Sequence, residues 1–219
     1  MSQGGLPASA APELRVYLQL LDLQPQFAAY LGTPTRARGY PPYAGQHALI
    51  VEVAPGLAIE RVTDLALRQV PEAELGILFV ERQFGVLEVH ADSREHVEAA
   101  GAAILAGLGA RPEDQLRPQV LFHDVIHDIT DQHAVILNRV RQASMVLPGH
   151  SLLVFEMTPA LFAAVAANEA EKAAPDITLV DVQMIGAAGR VYMAGNPESV
   201  ERAREAIGAA LAAVAGRDQ

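Results

Sequence analysis

Residues 45–76 and 149–180 of this chain repeat one another in register. The first stretch reads GQHALIVEVAPGLAIERVTDLALRQVPEAELG and the second GHSLLVFEMTPALFAAVAANEAEKAAPDITLV. Pro55 matches Pro159, Pro71 matches Pro175, Gly85 matches Gly189 and Glu52 matches Glu156, all at one offset. Further upstream LLDLQPQFAAYLG, from Leu20, matches IHDITDQHAVILN, from Ile126, with the offset lengthened by two. Prolines and glycines kept in step inside the same apolar pattern are the mark of an internal repeat. The chain is therefore expected to fold as two homologous domains, about 13–112 and 117–216. A short polar stretch, Arg111-Pro112-Glu113-Asp114-Gln115, joins them.

Each repeat has the same punctuation. An extended run comes first, Leu14–Leu21 and Val120–Ile126, followed by short helical pieces at Pro25–Leu31 and Asp131–Leu137. β-type runs at Ala48–Val53 and Leu152–Met157 end at Ala-Pro and Thr-Pro, where proline can open a helix at its first turn. Those helices are expected over Pro55–Gln69 and Pro159–Ala173. Each stops before the next proline, because the residue preceding proline disfavours the α region. Two more strands follow in each repeat, Leu75–Val80 with Val86–Val89 and Ile177–Val182 with Val191–Met193. Closing helices cover Arg94–Leu108 and Glu198–Val214. This order predicts an α+β sandwich with helices covering a mixed sheet. The first dozen residues, Gly-, Pro-, Ser- and Ala-rich, have neither the positive nor the apolar region of a secretory signal and are expected to be a flexible tail.

Composition excludes several function classes. With 51% hydrophobic and 19% charged residues the chain is no disordered acidic tail. No apolar run reaches the roughly 18 residues that would span a bilayer. A net charge of −10 and 5% aromatic content argue against nucleic-acid binding, which needs clustered cations and stacking surfaces. Without cysteine there is no disulfide, thiolate metal site or thiol nucleophile, which fits a reducing cytosol. His123-Asp124-Val125-Ile126-His127 resembles a zincin motif only superficially, because Asp replaces Glu and the pattern is that of a strand. With His133 these histidines leave a metal-dependent hydrolase as an alternative reading. No catalytic constellation and no Gly-rich phosphate loop stand out, so neither enzyme activity nor a cofactor is expected.

The matched turns between the two central strands differ. The first reads Glu81-Arg82-Gln83-Phe84-Gly85, the second Ile185-Gly186-Ala187-Ala188-Gly189. A charged turn opposite a small neutral one is what a special role in one copy would produce. A solvated hairpin tip is the plainer alternative. Asp64 with Arg68, and Asn168 with Lys172, sit four apart on the long helices. They read equally as surface pairs or as a matched edge used twice.

Val80-Glu81-Arg82-x-Phe84-Gly85, Asn138-Arg139 and Ala167-Asn168-Glu169-Ala170-Glu171-Lys172 resemble the bacterial microcompartment shell proteins. The likeness is to the circularly permuted, tandem-domain class of carboxysomes, over about residues 13–216. The resemblance implies two permuted microcompartment-type, ferredoxin-like sandwich domains. It also implies a homotrimer shaped as a pseudohexagonal tile, single or stacked as a dimer of trimers, among hexameric shell proteins around the carbon-fixing enzymes. It implies a large central pore gated by Glu81 and Arg82, with the turn completed by Gln83, Phe84 and Gly85. Gly186, Ala187, Ala188 and Gly189 would form the second pore loop. Arg68, Asn168 and Lys172 would lie at a subunit or tile edge. Small anionic metabolites would cross the pore, with no membrane or nucleic-acid partner. Glycine beside the gate is expected to let the backbone flip. A regulatory trimer that binds a small metabolite between subunits is the alternative.

Overall fold

The computed structural model describes residues 9–33 and 39–219; the rest of the N-terminal tail lies outside it. In the first half, β1 (Glu13–Leu20) and α1 (Pro25–Leu31) precede β2 (His47–Ala54), α2 (Ala58–Gln69), β3 (Glu74–Glu81), β4 (Phe84–Ala91) and α3 (Arg94–Leu108). The second half repeats the order with β5 (Gln119–Ile126), α4 (Asp131–Val140), β6 (Ser151–Thr158), α5 (Phe162–Ala173), β7 (Thr178–Gln183), β8 (Gly189–Gly195) and α6 (Pro197–Ala212). The strand orders are β1-β2-β4-β3 and β5-β6-β8-β7.

Every pair in both sheets is antiparallel. The expected mixed sheet is not formed, because β3 hairpins back onto β4 instead of lying beside β2. The helices following β2 and β6 start at Ala58 and Phe162, not at the prolines. Pro55 and Pro159 each follow a cis peptide bond and sit in the turn between strand and helix. Ala58 N–H bonds the Pro55 carbonyl, and Phe162 N–H bonds that of Pro159. α4 also runs one turn further than expected, to Val140.

Alternation places Leu49, Val51, Leu87 and Val89 under α2 and α3, in one apolar cluster with Ile59, Val62, Val97 and Ile104. The opposite face of the first sheet, with Val16, Leu18, Leu20 and Ile50, shares a core with α1 and with Phe162, Ala163 and Ala167 of α5. The two halves are thus fused through apolar packing.

That face also buries charge. Glu88 and His90 are fully enclosed on β4; Nδ1 of His90 lies 3.0 Å from one Glu88 oxygen, and Nε2 lies 3.4 Å from Glu74. Burial pushes the imidazole down, but the hydrogen bond and charge of Glu88, with Glu74 on the other side, outweigh it and hold His90 above its ordinary range. Burial likewise raises Glu88, and His90 offsets only part of this. Both shifts leave more protons on the native chain than on the unfolded one. Stability therefore falls as pH rises above about 6.5 and through the folded pKa of His90. Thermal melts from pH 6 to 9 should show a declining midpoint, and His90→Gln should flatten the decline. An unchanged slope in that variant would exclude the pair as its source.

Candidate functional site

The β3–β4 hairpin closes tightly: Glu81 pairs with Phe84, leaving Arg82 and Gln83 as the turn. Arg82 adopts φ 49, a left-handed conformation that strains a side-chain-bearing residue by about 1–2 kcal/mol. The side chain of Glu81 lies outside the described part of the structure. Gln83 is exposed, and Phe84 is covered by the Arg15 guanidinium, 3.7 Å above its ring. Arg15 also bonds Glu52 at 2.8 Å. Burial raises that carboxyl, and Arg15 pulls it only part of the way back. In the second half the matching carboxylate, Glu156, is bonded at 2.7 Å by Arg190, which comes from β8 and so from the opposite neighbouring strand.

The expected freedom of Gly85 is absent. A Cβ there would stand 2.2 Å from the Gly56 carbonyl oxygen, and one on Gly189 would stand 2.2 Å from that of Ala160. Glycine is required at both positions for close packing of strand on turn, which holds the backbone instead of loosening it. The strained residue is Arg82. In the second turn Gly186, at φ 135, takes a conformation that only glycine enters readily. Arg82, Gln83 and Phe84 line one cleft of about 350 Å³ together with Gly186 and Ala187. The two matched turns therefore converge on one side of the molecule.

The second candidate region is the seam between the halves. α1 begins with Pro25, which has no N–H, and its cap residue Gln24 supplies no side-chain hydrogen bond. The N–H groups of Gln26 and Phe27 donate to the two carboxylate oxygens of Glu171, at 2.8 and 3.0 Å. Gln24 N–H donates to Asn168 Oδ1 at 2.9 Å, and Lys172 Nζ donates to the Leu21 carbonyl at 2.7 Å. Tyr30 donates its hydroxyl to the Val182 carbonyl. An outer-edge role is thereby removed from Asn168, which is wholly buried inside the chain. Lys172 remains partly exposed at the end of the same seam, also bonded to Glu169, and Arg68 is exposed and paired with Asp64. Sequence reading missed Glu171, since its partners lie 144 and 145 residues away.

The surfaces that match this seam in the other halves of the repeat are not buried within the chain. At the cap of α2 and along it, the positions of Leu161, Asn168, Glu171 and Lys172 are taken by Leu57, Asp64, Leu67 and Arg68. Leu57 is 75% exposed where Leu161 is 0%. α4 corresponds to α1, yet its outer face leaves Val135, Ile136 and Val140 exposed. It is also capped differently, by its own Thr130 hydroxyl, which accepts from His133 N–H. Leu67, at the position matching Glu171, has no carboxylate with which to cap a helix.

His123 stacks on Phe155 and His127 contacts Ser151. Among the described residues no three His, Asp or Glu side chains are grouped to hold a metal.

Residues 14–114 match the CsoS1D N-terminal domain. The carboxysome shell protein CcmP of Synechococcus elongatus is 39% identical over 206 residues, covering 94% of this chain and 95% of that protein. The carboxysome shell protein CsoS1D of Hydrogenovibrio crunogenus is 40% identical over 200 residues, 91% of this chain and 96% of that one. The chain belongs to this carboxysome shell-protein family. Among solved structures, the double ringed trimeric shell protein MSM0271 from the RMM microcompartment is 67% identical with a TM-score of 0.91, covering 95% of this chain and all of that one. The fused permuted hexameric shell protein MSM0275 from the same microcompartment is 48% identical with a TM-score of 0.89, covering 94% and 100%. The two sandwiches are thus tandem permuted microcompartment domains, and the protein is a structural component of a microcompartment shell.

Proposed function

We propose that three copies of this shell protein close head to tail into a pseudohexagonal tile with a gated central opening, and that it carries out no reaction of its own. The observation that carries this reading is the second copy of the seam surfaces, left exposed on α4 and β5 of one half and along α2 of the other. Docking α4 of one copy on α2 of the next repeats the intrachain arrangement head to tail, and the trimeric relative supports closure after three such steps. The convergence of the Arg82 and Gly186 turns supports the gate, since rotation would gather six turns around one axis.

Three Arg82 and three Glu81 would then share the rim. Like charges within several Å repel by a few kcal/mol at intermediate dielectric. Interleaving Glu81 with Arg82 relieves this and closes the hole, and swinging them apart opens it. Two arrangements of similar energy form a switch that a bound anion biases by differential affinity. An arginine rim suits small phosphorylated or carboxylated metabolites.

Light scattering tests the tile: three copies of 23.3 kDa give about 70 kDa, and a monomer at micromolar concentration overturns the ring. The double-ringed relative supports stacking of two trimers, which would give about 140 kDa. The gate is tested separately: Glu81→Ala with Arg82→Ala should hold the pore open in every crystal form, and a closed pore in that variant refutes gating while sparing the tile.

The identities also support a second reading of which compartment this shell encloses. The carboxysome relatives are 39% and 40% identical, whereas the RMM protein is 67% identical. Mass spectrometry of intact purified compartments decides: carbon-fixing enzymes inside them favour the carboxysome, and their absence favours a compartment like that of the closer-matching structure.

A further inference from the structure

The outer edge of the first sheet is covered and that of the second is bare. β1 and β5 are the edge strands beside β2 and β6. Along β1 runs the segment that joins the halves: Leu116 N–H bonds the Arg15 carbonyl at 2.9 Å, and Tyr17 N–H bonds Gln115 Oε1 at 2.8 Å. Gln115 and Leu116 are buried there. Along β5, by contrast, almost every residue is exposed, with Val120, Leu121 and Phe122 among them. Such an edge is a template for another backbone.

The repeat says which backbone. Glu13 pairs with Ala54 as Gln119 pairs with Thr158, and both strands carry the same bulge, between Leu14 and Val16 and between Val120 and Phe122. In this register Gln115-Leu116-Arg117-Pro118, just ahead of β5, corresponds to Ser9-Ala10-Ala11-Pro12, just ahead of β1. The prolines coincide. Ser9 to Pro12 are exposed, leaving β1 beside Ala54, Pro55 and Gly56 with no strand edge to lie on.

We infer that in the ring the segment Ser9–Pro12 of each copy lies along β5 of its neighbour. Ala10 N–H donates to the Leu121 carbonyl there, as Leu116 N–H does to Arg15 within the chain. The apolar bulk is exchanged between the partners: leucine faces arginine in the covered edge, alanine faces leucine in the one to be covered. The partner is a second copy of this chain, so the inference rests on the ring proposed above. It adds a backbone arm between subunits, sealing the edge that helix docking leaves bare.

The cysteine-free chain makes the test direct. Residues paired by an interstrand hydrogen bond stand about 5.5 Å apart at Cα, within disulfide reach. Ala10→Cys with Leu121→Cys, purified as the full chain and mildly oxidised, should run as covalent dimer and trimer on a denaturing gel without reductant. Monomer bands alone from a protein that light scattering shows to be trimeric would overturn the arm and leave the ring standing. A monomer by light scattering would overturn both. In the unaltered trimer, the β5 amides should exchange with solvent at least about tenfold more slowly than after deletion of residues 2–11. Equal rates would also overturn the arm.

Discussion

Glu171→Ala should lower the unfolding free energy by about 3–5 kcal/mol, read as a shifted denaturant midpoint. The carboxylate accepts the N–H groups of Gln26 and Phe27, the second of them at a buried residue. Removing it leaves two donors without an acceptor, one fully buried at Phe27 and one partly buried at Gln26, each costing about 1–3 kcal/mol. α1 has no cap of its own to fall back on. The loss should therefore spread to Phe27 and Tyr30, which sit under α5 in the shared core. Glu171→Gln keeps one acceptor and should recover roughly half of the loss. Substituting Leu67, the matched residue on α2, with alanine should have no comparable effect on the isolated chain. Equal losses at Glu171 and Leu67 would mean that the cap is not the cause.

Ile136→Asp is expected to abolish the trimer while leaving the fold intact. Ile136 takes the place of Tyr30 in the second repeat, but it is 55% exposed where Tyr30 is buried. Inside one chain an aspartate at that exposed position is harmless. In the ring it would be placed, unpaired, against the neighbour's α2 and β3. Burying an uncompensated carboxylate costs several kcal/mol at each of three interfaces. Light scattering should report about 23 kDa, and circular dichroism should be unchanged. A surviving trimer would remove α4 from the interface and with it the proposed closure. Val140→Asp, one turn further along the same exposed face, provides an independent check.

Much of the architecture was legible from punctuation. Matched prolines and glycines marked the duplication because turns and close approaches tolerate few alternatives, and those demands recur with the fold. Strand positions followed from alternation and helix ends from proline. What went astray depended on partners remote in sequence. Whether β3 paired with β2 or only with β4 was not written in either strand, so the sheet came out antiparallel instead of mixed. Pro55 was compatible with a helix start and with a turn; the packing of Gly85 against the Gly56 carbonyl fits the turn. Asn168 and Lys172 looked like a surface pair because helical spacing says which residues share a face, not what that face meets. Glu88 and His90, two apart on β4, gave no signal of burial, because a strand covered on both faces has no polar side on which charge is at home.

The sequence by itself determined the duplication, the order of strands and helices, and the chemistry at the two turns, one charged and one small. These are local properties: backbone preference, side-chain periodicity and the few residues a turn accepts. Only the tertiary structure decided that the two turns meet at one cleft, that α1 is capped by a carboxylate from the other half, and that the matching surfaces on α2, α4 and β5 are left open. Such facts arise from packing between residues more than a hundred positions apart, where complementarity of shape and hydrogen bonding, not any pattern along the chain, selects the partner.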